Sequence, residues 1–360
     1  MGTLIMLAGL CLLILVHEFG HWLVAQYFGF QTPVFSIGFG SPYIVVGRWR
    51  NTEFRLTPWL IGGYVSLPEM ADESTAREVM QAQGTQLRQH RDFPIWQRSL
   101  VAVAGVTMNV ITAVVLTFIL FTAIGRPEPQ VRDVYVSALS ATNTIARDAG
   151  IQPNDVIVSI DGQTVKSPDD VVRLIAAHKG TAAVIVVGRA GRAVTINVTP
   201  DANGKLGIAI GAHATIVYHR EGPVAGAVDA VKTDAMLVGK MYEGIGMMLH
   251  IVPVPKDLPA GAADVHGIIA IVQMGSTAFA TGMANFIWFL AAISLNLAVL
   301  NILPIPVLDG GYLLFFAIEK IRGKRLERAV QQKIQLVFIC LLFLLLFYGV
   351  YNDLVNPVHM

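Results

Sequence analysis

Four runs of this 360-residue chain are long and apolar enough to cross a lipid bilayer, and this constrains the fold more than any other feature of the sequence. They extend from Leu4 to Phe28, Leu100 to Ile124, Asn285 to Leu303 and Ile334 to Tyr351. Crossing the hydrocarbon core takes about 20 residues of helix, and each backbone polar group there must be satisfied within its own segment, so all four runs are predicted helices. Composition agrees, because charged residues make up 14% of the chain, against about 25% in soluble domains. A fully soluble fold and a disordered chain are both excluded. The first run is expected to be retained, since no basic residue precedes it and no small-residue cleavage site follows it.

The net charge of +1 offers no bulk attraction to nucleic acid, so no nucleic-acid partner is expected. The charges are instead segregated. Lys320, Arg322, Lys324, Arg325, Arg328 and Lys333 fall in a short stretch between the third and fourth runs, which the positive-inside rule places in the cytoplasm. Counting back two spans puts residues 31–99 on the same side. Both termini and the segment between the second and third spans are then extracytoplasmic. Cys11 and Cys340 both lie inside apolar runs, so no disulfide framework is implied.

These patterns predict a polytopic α-helical membrane protein with four transmembrane helices. The expected order is transmembrane helix 1 at 1–30, a cytoplasmic loop at 31–99, helix 2 at 100–125, a small α+β domain at 126–212 and an amphipathic linker at 213–284. Helix 3 follows at 285–321, a basic cytoplasmic loop at 322–333 and helix 4 at 334–352. Within the cytoplasmic loop, Tyr43–Val46 and Glu53–Thr57 are strand-like on either side of Arg50-Asn51-Thr52, which predicts a β-hairpin. The polar stretch Met70–His90 reads as a loose helix. In the inserted domain, Val156–Ile160 leads into the Asp161-Gly162 turn signal. Ser167 is expected to cap a helix with Pro168 in its first turn, and strands at Ala183–Gly188 and Ala193–Val198 follow.

Chemistry enters where ionisable residues interrupt the apolar runs. His17-Glu18-Phe19-Gly20-His21 sits in the first of them, and residues four apart share one helix face. Two imidazoles so placed can share a zinc ion, and the intervening Glu can act as base toward a metal-activated water. With 9 His in the chain, a chance match to this spacing is expected far less than once. A charged group at the centre of a span costs about 2.5 kcal/mol or more on insertion scales, so the cluster needs a partner, and a metal supplies one. Catalytic zinc takes three protein ligands, but the position six after His21 is Tyr27 and not a third histidine. Asp309, in Asn301-Ile302-Leu303-Pro304-Ile305-Pro306-Val307-Leu308-Asp309-Gly310-Gly311, is the best candidate third ligand; an N-cap role for the helix after the two prolines is the other reading, and the two roles are compatible.

These motifs, taken in order, resemble the bacterial site-2 protease family of intramembrane zinc metalloproteases. Leu303 to Gly311 followed by Ala317-Ile318-Glu319-Lys320 is similar to the RseP-type branch, here with a single PDZ-like domain between spans 2 and 3. The resemblance implies one Zn2+ per chain held by His17, His21 and Asp309, with Glu18 as general base. It implies that Asn296 and Asn301 hold the substrate backbone or the oxyanion, whereas polar residues in spans also commonly serve as interhelical hydrogen bonders. It further implies a multi-pass protein of the bacterial cytoplasmic membrane. The implied substrates are single-span membrane proteins already trimmed on the outer side, anti-sigma-factor-like proteins or remnant signal peptides, as in regulated intramembrane proteolysis. Two departures stand out: Gly105-Val106-Thr107-Met108-Asn109 lacks the family's proline, and His266-Gly267-Ile268-Ile269 stands where Ser-Gly-Pro-Ile is expected.

Leu206-Gly207-Ile208-Ala209-Ile210 resembles the loop and strand that receive a peptide C-terminus by strand addition, with Gly207 and Ile208 at the binding position. An ordinary edge strand, or a domain that screens substrates by size, fits the same residues. The predicted hairpin near Tyr43 to Thr57 offers a further edge strand for an unwound substrate, to be tested by proline substitution within Glu53–Thr57. Two other classes stay open at this stage: a metal transporter using the same side chains transiently, and a non-catalytic scaffold that recruits partners through the inserted domain.

Overall fold

In the computed structural model, which describes residues 1–70, 73–82, 84, 91–140, 142–248, 251–253 and 267–355, the first apolar run is the 27-residue helix α1 (Gly2–Phe28). It stops at Gly29, whose φ of 83° is a left-handed conformation that glycine adopts without strain, and the chain turns back to bond Gln26 and Ala25 carbonyls. Four strands follow: β1 (Val34–Phe39), β2 (Ile44–Trp49), β3 (Thr52–Leu56) and β4 (Trp59–Val65). Their order is β2-β3-β1-β4, with β1 and β3 parallel and the other pairs antiparallel. The expected hairpin is present as β2 and β3, turning at Arg50 with φ 52°.

Of the hairpin's two strands, β2 is an edge of the sheet, whereas β3 lies inside it with a partner on each side, so Glu53–Thr57 itself offers no free edge; the other edge is β4. β4 packs against α1. In the polar stretch, α2 (Glu73–Ala82) is helical, and residues 85–90 lie outside the described residues.

The second apolar run is α3 (Ile95–Ile119), which begins five residues before the expected Leu100 because Pro94, with its fixed φ of −63°, stands at the cap position. It closes in a π-helical turn at Leu120–Ile124. Arg98, in its first turns, is buried and donates to Phe93 O at 3.0 Å and to both carboxylate oxygens of Glu319 at 2.6 and 3.0 Å.

Residues Gly125–Arg220 form a compact unit. Its elements are β5 (Arg126–Leu139), α4 (Ile145–Asp148), β6 (Val156–Ile160), β7 (Gln163–Thr164), α5 (Pro168–Ala177), β8 (Ala183–Arg189), β9 (Arg192–Val198) and β10 (Ile208–His219). The sheet runs β10-β5-β6-β8-β9, with β7 paired to β6. Asp161 and Gly162, at φ 45° and 76°, make the two-residue turn that the sequence signals. Ser167 caps α5 in a reciprocal box with Asp170, and Pro168 is its first residue. Alternating residues of the strands, Val134 and Val136, Ile157, Ile185 and Val187, bury with Val171, Leu174 and Ile175 of α5.

The other unit, Met1–Ile124 with Glu221–Met360, contains the remaining helices. The segment expected as a linker holds α6 (Pro223–Met248) and α7 (Ile268–Thr281); His266 lies outside the described residues. The segment 285–321, expected as one transmembrane helix, is two: α8 (Met283–Ile302) and α9 (Asp309–Arg322). The prolines at 304 and 306 keep Leu303–Leu308 non-helical between them. The last helix, α10 (Arg328–Val355), starts before the expected Ile334. Among the described residues, four helices are long and apolar enough to cross a membrane: Gly2–Phe28, Ile95–Ile124, Met283–Ile302 and Ala329–Val355.

Candidate metal centre and active site

His17 and His21 lie one turn apart on the face of α1 that packs on α3, and both are buried, at 7% and 6% exposure. α3 comes close there because Gly20 has no side chain; a Cβ at that position would lie 2.5 Å from Ala104 O. Asp309 reaches the same point from α9. Gly310 and Gly311 let the Leu303–Leu308 turn fold directly onto the start of that helix, where any side chain would run into the carbonyls of Leu303 and Ile305. Leu308 occupies the cap position and Asp309 is the first helical residue, without a capping bond from its side chain. The capping alternative therefore does not describe Asp309; its carboxylate turns toward the histidines.

Three atoms converge. His17 Nε2 and His21 Nε2 are 3.2 Å apart, and Asp309 Oδ2 lies 3.0 Å from the first and 3.3 Å from the second. His21 Nδ1 donates to Val101 O at 2.7 Å, so its Nε2 carries a lone pair directed into this triangle. A carboxylate oxygen and two imidazole nitrogens so arranged are a donor set suited to a cation. Tetrahedral zinc with bonds of ~2.0–2.1 Å places its ligand atoms ~3.3–3.4 Å apart, close to the spacing observed. Gly105 of α3 keeps this space open: a Cβ there would sit 2.7 Å from His17 Nε2 and closer still to His21 Nε2. The donor set, the convergence and the room left by the missing Cβ of Gly105 together fit a zinc ion. Among the described residues, no other group of three or more His, Cys, Asp or Glu side chains brings one ligand atom each so close together.

Glu18 is held beside this triangle. Its Oε2 accepts from the Val65 N–H, on the edge strand β4, at 3.1 Å. A cavity of about 220 Å³ is lined by Ile14, His17, Glu18, Asn109, Leu297, Asn301, Val307, Leu308 and Asp309. Asn301 therefore reaches the site, whereas Asn296, half-buried on α8, is not among the lining residues. Gly207, at φ 75°, and Ile208 lie in the Gly125–Arg220 unit, where Gly207 O accepts from Ser140 N–H and Ile208 opens the edge strand β10 opposite Leu139.

Sequence reasoning did not assign the α3 residues to the site. Val101, Gly105 and Asn109 occupy successive turns of one helix face, at i, i+4 and i+8, antiparallel to the spacing of His17 and His21. Asn109 is fully buried with its side-chain nitrogen 3.2 Å from His17 Nδ1. The signal in the sequence was the Gly105 to Asn109 spacing inside an apolar run, which reads as helix packing until its partner helix is known.

Two histidines, a carboxylate and a neighbouring glutamate set among helices long and apolar enough to cross a membrane fit a membrane zinc metalloprotease, and similarity to known proteins shows that class. A Nostoc sp. protein that bears a zinc-metalloprotease name is 30% identical over 95% of this chain and 93% of its own length. One from Agrobacterium fabrum with a name of the same kind is 28% identical over 96% and 93%. The Arabidopsis thaliana membrane metalloprotease ARASP, a chloroplastic protein, is 29% identical over 96% of this chain and 77% of its own. The profile of peptidase family M50 matches residues 5–345, and the chain belongs to that family, the site-2 proteases. It is a zinc metalloendopeptidase of a membrane.

Proposed function

We propose that this enzyme hydrolyses peptide bonds in or near the transmembrane segment of single-span membrane proteins already trimmed on their outer side, as in regulated intramembrane proteolysis. The observation that carries the reading is the position of the site along an apolar helix long enough to cross a membrane. His17 stands 15 residues after the start of α1, ~22 Å along the helix axis, so with α1 crossing a hydrocarbon core of about 30 Å the site lies within the core, nearer the cytoplasmic face. On this reading the chain is a multi-pass protein of the bacterial cytoplasmic membrane. The basic loop is cytoplasmic, and both termini and the 126–212 domain are extracytoplasmic.

His17, His21 and Asp309 would hold the metal, which when bound would lower the pKa of a water toward 7 and polarise the scissile carbonyl. Glu18 is the general base. The Val65 N–H fixes its Oε2, so Oε1 takes the proton from the attacking water and returns it to the leaving amine. Asn301, lining the same cavity, donates to the substrate backbone or the developing oxyanion; Asn296 is left to bonding between helices.

A substrate helix has its own carbonyls satisfied and must unwind to be cut. β4 supports this step, because it is an edge strand and its last residue already touches Glu18. An extended substrate pairing with β4 would arrive at the catalytic base in register. The 126–212 domain reads as PDZ-like, with Gly207 and Ile208 at the start of edge strand β10 meeting a substrate C-terminus. The anti-sigma-factor-like and signal-peptide substrate classes rest on family resemblance.

The test uses purified full-length protein in lipid, a model single-span substrate, and Glu18→Gln beside the wild type. Stoichiometric zinc in both with at least a ~100-fold drop in cleavage rate for the variant is expected. Equal rates would refute Glu18 as base, and cleavage restricted to soluble peptides would refute the intramembrane substrate.

A further inference from the structure

We propose that Asn109 is a positioning residue for the metal centre: its amide oxygen accepts from His17 Nδ1–H and thereby directs the His17 Nε2 lone pair at the zinc. The inference rests on the ligand assignment above and concerns what orients one of those ligands. Asn109 is fully buried and lies on the α3 face that meets α1. Its side-chain Nδ2 is 3.2 Å from His17 Nδ1, while its Oδ1 finds no hydrogen-bond partner among the described residues. A ring that offers Nε2 to a metal carries its proton on Nδ1, and Nδ1–H facing Nδ2–H would set two donors against each other. The two ends of a carboxamide have nearly the same shape, so a half-turn of the amide brings the orphaned oxygen to the ring without moving any other atom.

His21 provides the internal comparison. Its Nδ1–H is already held by Val101 O at 2.7 Å, two turns before Asn109 on the same face of α3. Each histidine thus takes its tautomer from α3, one from a main-chain carbonyl and one from a side chain. The Asn109 backbone is fixed in turn, since its carbonyl accepts from Ser294 Oγ of α8 at 2.8 Å. Partners of this kind commonly change metal affinity by 10–100-fold when removed.

The opposite arrangement makes a distinct prediction. If Asn109 instead donated to Nδ1, His17 would carry its proton on Nε2 and point it at Asp309, and a group that can only accept would not substitute. The experiment measures zinc affinity of the purified full chain by competition with a chromogenic chelator, for wild type, Asn109→Asp, Asn109→Leu and His17→Ala. Cobalt-substituted spectra report the ligand geometry independently of cleavage. Asn109→Asp is expected within about threefold of wild type with an unchanged cobalt spectrum, and Asn109→Leu to lose about 10–100-fold in affinity. Wild-type affinity in Asn109→Leu, or a loss in Asn109→Asp as large as in Asn109→Leu, overturns the proposal. His17→Ala separates it from the ligand assignment. Zinc kept in that variant refutes the assignment itself, whereas zinc lost there but kept in Asn109→Leu refutes only the orienting role.

Discussion

Gly105 shows how a residue without a side chain decides the chemistry of a site. Its missing Cβ leaves room against both imidazole Nε2 atoms, where an added methyl would force the rings apart. Gly105→Ala is therefore expected to lower zinc affinity by ~10–100-fold while His17, His21 and Asp309 are all still present. Alanine is the better helix former by about 1 kcal/mol, so weakened helicity cannot explain such a loss. Metal content after dialysis, read beside the helical circular dichroism, checks this, and stoichiometric zinc in the variant would show that the space over Gly105 is not the ion's. The HExxH spacing was legible because its geometry is internal to one helix. Gly105 was not, because a glycine in an apolar run has no chemistry until the partner helix shows what it faces.

At the level of elements, the position of Asp309 depends on how α9 is anchored. The far end of that helix is held by Glu319, bidentate with the buried Arg98 of α3, and Arg325 lies 3.7 Å from the same carboxylate. Arg98 also stacks over Phe316, 4.8 Å from the ring centroid. Breaking a buried pair of this kind costs about 3–5 kcal/mol, because the remaining charge loses its partner in a low-dielectric setting. Glu319→Ala is expected to destabilise the protein by an amount in that range and to weaken zinc binding several-fold, although Glu319 lies three helical turns from the ligand. Thermal unfolding with and without added zinc measures both effects, and an unchanged metal dependence would show that the clamp serves stability alone. The proline break before Asp309 was readable from sequence, as was the β2–β3 hairpin. That β3 is interior and β4 is the edge beside Glu18 was not, because strand order is set by long-range pairing with β1.

Across the whole molecule, the two units rest on different physics. The helical unit exposes apolar surface suited to lipid, with Phe343, Leu344 and Phe347 of α10 more than half exposed. The Gly125–Arg220 unit has an ordinary packed core and an ion pair of the buried Asp155 with the half-exposed Arg189, in which two nitrogens approach the carboxylate at 2.7 Å. Burial pushes the Asp155 carboxyl up, but the Arg189 guanidinium and the Gln152 N–H outweigh it and hold it below the usual carboxylate range. A depressed folded-state pKa contributes stability that is present above the unfolded value, about 3.9, and is lost as pH falls through the lower folded value. Asp155→Asn is expected to cost about 1–2 kcal/mol at neutral pH, the exposed side of Arg189 being screened by solvent, and to remove that acid dependence. Hydrogen exchange of β6 and β8 amides in the full chain is the measurement, and a variant that keeps the wild-type acid response would reassign it to another carboxylate. By itself the sequence determined the apolar runs, the His17 and His21 spacing and the local turns and caps, since these depend on composition and on periodicities within single elements. Only the tertiary structure decided the rest: the meeting of Asp309 with His17 and His21 beside Gly105, the contacts of both imidazoles with α3, and β4 as the edge strand beside Glu18. Each of these is a contact between residues far apart in the chain, and no local pattern encodes the direction from which a partner will arrive.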